Sequence, residues 1–247
     1  MAQEAREAGS RRSRATVVIP SDVQRALLQD AWSRSKIEAC GLLRGEIDER
    51  GSWRLAAVHP LPNIAHSSAY FEFAPEDVLQ LELSYPGQII GVYHSHPWGP
   101  RGASRTDRET MRRVNGEEGI PWIWLILCGP FTDEALPLLL EAAAGGDRAA
   151  EAECANWLGR RLLAYYHDPG KGLGQIEVVL QAQSEAGGTG GQRSAGVDGG
   201  KKGGRRSAGE QGARGSLKRG SIWQIPGRSA TLREKSREAG SEANRQH

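Results

Sequence analysis

The sequence predicts an α+β domain built on a central mixed β-sheet flanked by helices, followed by a tail without a core. Three observations carry this. Candidate strands and helices interleave without strict βαβ alternation, which favours α+β over a doubly wound parallel sheet. The most apolar stretch, Ile120 to Cys128, reads as a central strand covered on both faces. Composition then breaks after Leu180. From Gln181 to His247 there are 13 Lys/Arg, 6 Asp/Glu and 15 Gly in 67 residues, so the formal +2 of the 247-residue chain divides into −5 before the break and +7 after it. Trp223 alone among 15 aromatic residues lies beyond that point. Such a segment cannot bury enough apolar surface to offset its ordering entropy. The expected organisation is a flexible N-terminus over 1–15, one folded domain over 16–182 and a disordered, basic Gly/Arg-rich tail over 183–247.

The elements follow in order. Thr16 to Pro20 is a short β-branched run. Ser21 then opens an amphipathic helix, with Gln24 at capping-box spacing and Val23, Leu27, Leu28 and Ala31 at helical period. Glu38 to Gly45 and Trp53 to Pro60 read as strands joined by a polar turn around Asp48 to Gly51. Tyr70 to Phe73 alternates and reads as a further strand. Pro75, followed by Glu76 and Asp77, has the chemistry of a helix start. Gln88 to His96 is a buried strand that runs into histidines, and a Pro/Gly loop leads to a helix beginning at Ser104. Asp133 to Gly159 is helical in parts, interrupted by Gly145-Gly146. Leu162 to Tyr166 and Ile176 to Leu180 are strands around the turn at Asp168-Pro169-Gly170. Gly41 and Gly45 are expected where backbones approach closely.

Several function classes drop out. Nine residues with one proline, Ile120 to Cys128, form the longest apolar run, against about 20 needed to span a bilayer. Met1 to Arg14 carries four arginines and no apolar h-region, so no secretory signal is expected. Cys40, Cys128 and Cys154 are too few and too widely spaced for a disulfide framework or a CxxC zinc pair, and read as core residues of a cytoplasmic protein. The basic runs Lys201-Lys202, Arg205-Arg206 and Lys218-Arg219 read as solvated linker before nucleic-acid contact, and Ile222 to Pro226 as a short binding motif at most.

Chemistry concentrates in Tyr93-His94-Ser95-His96-Pro97 and Ser104-Arg105-Thr106-Asp107. On a strand, side chains at i and i+2 share a face, so His94 and His96 project together. Asp107, in the first turn of the next helix, returns a carboxylate toward them. Two imidazoles and a carboxylate, with a fourth position left for water, is the ligand pattern of a catalytic zinc site. Taken alone each piece is ordinary: a histidine at a strand end is usually a hydrogen-bonding residue, and S-x-x-D is a helix cap. Their combination, with seven residues between His96 and Ser104 and Glu38 upstream, is not.

That combination resembles the JAMM metallopeptidases, also called the MPN-plus or JAB1 family, in its bacterial branch. The matching pieces are Glu38 in Glu-Ala-Cys-Gly-Leu-Leu-Arg-Gly, His94-Ser95-His96-Pro97 and Ser104-Arg105-Thr106-Asp107, with Asn63-Ile-Ala65, Phe71-Glu-Phe73 and Pro75-Glu-Asp77 alongside. The likeness runs from about Val17 to Leu180. It implies an MPN/JAMM-like fold with one Zn²⁺ per chain held by His94, His96 and Asp107. It implies Glu38 as general base and then acid for a metal-bound water, and Ser104 as donor to the oxyanion. The implied activity is a zinc-dependent peptidase or isopeptidase acting at the C-terminus of a ubiquitin-like or sulfur-carrier protein. The alternative is a noncatalytic MPN scaffold, which usually lacks part of the metal set. Ser95 is expected to face away from the metal, Trp98 to be either a cleft aromatic or a packed loop residue, and His59, His66 and His167 to be ordinary polar residues.

Overall fold

The computed structural model describes residues 15–99 and 101–182. The expected N-terminal segment up to residue 14, the tail, its basic runs and the Trp223 motif lie outside these.

Seven strands and five helices follow one another along the described chain: β1 (Thr16–Ile19), α1 (Ser21–Ser33), β2 (Cys40–Ile47), β3 (Trp53–Leu61), α2 (Pro75–Ser84), β4 (Ile89–His96), α3 (Arg105–Met111), β5 (Ile123–Cys128), α4 (Leu136–Ala144), α5 (Arg148–Gly159), β6 (Leu162–Asp168) and β7 (Gly172–Leu180). The strands form one mixed sheet in the order β1-β3-β2-β4-β5-β6-β7. It closes on itself because β1 runs parallel to both β3 and β7. The expected mixed sheet is present, and closure is what the sequence did not announce.

Strand alternation divides the core into two. Along β5, Ile123, Leu125 and Leu127 face a cluster built with α1, α4 and α5, while Trp124, Ile126 and Cys128 face a second built with Phe71, Phe73, Val78, Met111 and Val114. All six β5 residues are buried, as a strand covered on both faces requires. On β4 the same alternation sends Val92 to the second cluster and Tyr93 to the first, and His94 meets Phe71 of the second. Gly41, on β2, fits because any Cβ there would lie 2.3 Å from the His59 carbonyl oxygen of β3.

Two local expectations fail for physical reasons. Ser21 is not the N-cap of α1: Pro20 holds that position without a side-chain cap bond. Buried Gln24 instead donates its amide to the carbonyls of Ile19 and Gln181, both at 2.8 Å, and ties the ends of β1 and β7 together. Tyr70 to Phe73 is not a strand. Phe71 and Phe73 do share a buried face, but the backbone between them bonds to Asn63 and Ile64 and joins no ladder. The helix from Ser104 continues beyond α3 as a π-helical turn over Arg112–Glu117. This wider turn contains Asn115, whose amide donates to the carbonyls of Ile120 and Trp122. The region from Asp133 resolves into α4 and α5, joined through Gly146 at φ +89°, a conformation that favours glycine. The three cysteines are buried and free. Among the described residues no helix is long and apolar enough to cross a membrane.

Candidate metal centre

β2 and β4 run antiparallel with Cys40 opposite His94. Continuing that register two residues past the ladder sets Glu38 against His96. The continuation is made by Ser95, whose N–H donates to the Ala39 carbonyl at 2.8 Å while its Oγ accepts the Ala39 N–H at 2.9 Å. Ser95 is therefore buried on the face away from the histidines and has a structural task.

His94 and His96 bring their Nε2 atoms to 3.1 Å of one another. Asp107 reaches both, with Oδ1 3.3 Å from His94 Nε2 and Oδ2 3.4 Å from His96 Nε2. One ligand atom from each of the three lies within 4.8 Å of the others. Donors about 2.0–2.1 Å from a tetrahedral zinc lie about 3.3 Å apart, so the observed separations suit such an ion. A hydrogen bond between two neutral imidazoles uses one proton and one lone pair, whereas a cation takes a lone pair from both. The donor set fits a zinc ion.

The helix cap delivers Asp107. Ser104 Oγ accepts the Asp107 N–H at 3.1 Å, and Asp107 Oδ2 accepts the Ser104 N–H at 2.6 Å, a complete capping box. The cap that S-x-x-D encodes and the placing of a carboxylate beside both histidines thus fall on one residue.

Electrostatics separate the roles. Glu38 is 3% exposed, its Oε1 lies 3.9 Å from His96 Nε2, and its Oε2 has no hydrogen-bond partner among the described residues. Burial, and after it the negative charge of Asp107, pushes its carboxyl up to about 8. Burial would also raise Asp107, but the two imidazoles and the Ser104 bond hold it well below the usual carboxylate range. Burial lowers His94 despite Asp107 and so favours the neutral imidazole, the form a metal would need. An ion pair would require the protonated form that burial disfavours.

The structure brings Glu38, His94, His96, Ser104 and Asp107 to one place. It also adds Phe71, whose ring stacks on His94 with centroids 4.7 Å apart and planes 29° from parallel. His94 Nδ1 has no hydrogen-bond partner among the described residues, so this stacking takes the orienting part that a carbonyl or carboxylate often plays. The sequence signals for Phe71 were its alternation with Phe73 and its place in the Phe71-Glu-Phe73 piece of the family resemblance, neither of which assigned it to the site. Trp98 is 60% exposed, so the packed-loop reading does not hold. Just before it the chain passes close to Gly129, where a Cβ would lie 2.5 Å from the Pro97 carbonyl oxygen. His59 packs at a tilt against Tyr85, with ring centroids 4.9 Å apart, and is not a member of the His94–His96–Asp107 group.

Residues 20–138 match the family described as prokaryotic homologs of the JAB domain. The chain is 34% identical over 115 residues to a desampylase of Pyrococcus furiosus, covering 45% of this chain and 74% of that protein. It is 37% identical over 76 residues to a desampylase of Haloferax volcanii, covering 29% of this chain and 52% of that protein. A solution structure of a Desulfitobacterium hafniense protein superimposes with a TM-score of 0.46 at 18% identity, covering 70% of this chain and 97% of that one. The mixed sheet with its His-x-His strand end beside a capped aspartate accompanies a sequence match to the JAB domain, which sets the class as JAB/MPN. The chain belongs to the prokaryotic JAB family. The family match stops near the start of α4, short of the Leu180 limit expected from the sequence, although β6 and β7 complete the same sheet.

Proposed function

We propose that this protein is a zinc-dependent isopeptidase that hydrolyses the amide bond at the C-terminus of a ubiquitin-like or sulfur-carrier protein. The observation that carries the reading is the convergence of His94, His96 and Asp107 beside a buried carboxyl, Glu38, with a raised pKa. The similarity to two desampylases supports the substrate class. The three buried free thiols support a reducing, cytoplasmic setting.

His94, His96 and Asp107 would hold one zinc. When bound, zinc would polarise a scissile carbonyl and lower the pKa of a water to about 7. Glu38 is the group in reach to accept a proton from the attacking water. Desolvation matches its affinity for that proton to neutral pH, so the same carboxyl can pass it to the departing amine nitrogen. Ser104 Oγ accepts from the Asp107 N–H, which leaves its own O–H free to donate to an oxygen that gains charge. Asp107, anchored by the cap, and His94, held by Phe71, keep the ligand atoms in place without reorganisation.

The test is metal analysis of the purified protein with cleavage of a ubiquitin-like fusion, before and after chelation. One zinc per chain and cleavage that chelator stops and zinc restores are the expected results. Full-length protein with neither zinc nor cleavage would favour the noncatalytic scaffold. Binding of nucleic acid retained by residues 183–247 alone would give the tail a separate role.

A further inference from the structure

Glu38 lies outside any strand or helix, yet both of its main-chain polar groups are engaged. Its N–H donates to the Ser67 carbonyl at 2.8 Å, and its carbonyl accepts from Asn63 Nδ2 at 3.1 Å. Asn63 does more than this. The same Nδ2 donates to the carbonyls of Ser67 at 3.3 Å and Tyr70 at 3.1 Å, while Oδ1 accepts the N–H groups of Ala65 at 3.1 Å and Glu72 at 3.2 Å. An amide offers two donor hydrogens and two acceptor lone pairs, so this side chain, 2% exposed, is saturated. The network also fixes its orientation, since the flipped amide would face three carbonyls with an oxygen. One residue thus closes the 63–72 loop on itself and fastens it to Glu38, and that loop carries the Phe71 ring stacked on His94.

We propose that Asn63 is a positioning residue that sets the Glu38 carboxyl at the metal centre by clasping the Glu38 main chain to the 63–72 loop. The inference rests on the role proposed for Glu38. Asn63→Asp is its sharpest perturbation, because it keeps the shape, removes both donor hydrogens and aims a carboxylate oxygen at three carbonyls. Asn63→Ser is the milder variant if the aspartate does not fold.

In the zinc-free protein, amide hydrogen exchange at Glu38 and Glu72 should speed up about tenfold or more in the variant, while the β4 and β5 amides stay protected. In the zinc-loaded protein, kcat on a ubiquitin-like fusion should fall about 10–100-fold, with KM and zinc content unchanged. In a Glu38→Gln background the same substitution should cost less than about threefold, because its effect passes through the carboxyl that is already gone. Equal fractional losses in both backgrounds, or unchanged exchange at Glu38, would overturn the inference and leave the reaction as proposed. Wild-type kcat in Glu38→Gln itself would instead overturn the reaction, and the positioning role with it.

Discussion

Ser95 and Ala39 exchange two hydrogen bonds, N–H to carbonyl at 2.8 Å and N–H to Oγ at 2.9 Å. The residue between the two histidines therefore grips the residue after Glu38. Ser95→Ala should destabilise the protein by about 1–3 kcal/mol, the cost of an unpartnered buried N–H. Urea unfolding checks this. A loss under about 0.5 kcal/mol, on the order of a surface change, would mean that the Ala39 N–H finds another acceptor.

Asp107 should show its two duties in two variants. Asp107→Asn keeps an oxygen that can accept the Ser104 N–H but removes the charged ligand, whereas Asp107→Ala removes both. Bound zinc should fall in each, and only the alanine should lose a further ~1 kcal/mol from the cap. Metal content and thermal melting, read on both proteins, separate the duties. Stoichiometric zinc in either variant would take Asp107 out of the ligand set.

Glu38→Gln should divide metal binding from proton transfer. The amide keeps shape and one acceptor oxygen but cannot carry the proton, so kcat should fall about 10²–10⁴-fold. Zinc content and KM should hold, the signature of an interaction made mainly in the transition state. Zinc lost together with activity would move Glu38 into the metal shell.

Zinc should also act as a stabiliser. At a free concentration of about 100 Kd, binding to the native state alone adds about 2.7 kcal/mol. A chelator should accordingly lower Tm by several degrees, reversibly. His94→Ala should melt at one temperature with or without zinc, and a persisting zinc shift in that variant would point to a second site.

A chain ending at Ala182 should unfold in one cooperative transition and retain cleavage, because Leu180 completes the β7 pairing with Ile19. Differential scanning calorimetry with the fusion assay decides this. Aggregation of the shortened chain would extend the domain into the tail.

Much of the architecture was legible because it is local. Period-two burial on β5, the i and i+2 pairing of His94 with His96, and the S-x-x-D cap each reside in a few consecutive residues. The convergence of Glu38 with His96 was legible only through the family resemblance, since it depends on a β2–β4 register that no short stretch encodes. Ser21 misled because its spacing to Gln24 satisfies a local rule, while Gln24 is drawn to the carbonyls of Ile19 and Gln181. Tyr70 to Phe73 misled in the same way: its alternation is real, but an Asn63 side chain supplies the bonds that a neighbouring strand would. Long-range demands on polar side chains left no periodic trace.

The sheet closes between the first strand and the last, β1 with β7. Every residue of the candidate site lies between Glu38 and Asp107, so a ribosome releases the complete set of reactive groups well before Gly172–Leu180 emerges. During that interval β1 lacks one of its two neighbours and the growing sheet presents open edges, which template pairing with other chains. Translation stalled between these points would yield a nascent chain that is chemically complete yet prone to aggregate. Completion of the sheet therefore depends on β7, a strand that carries none of the candidate site residues.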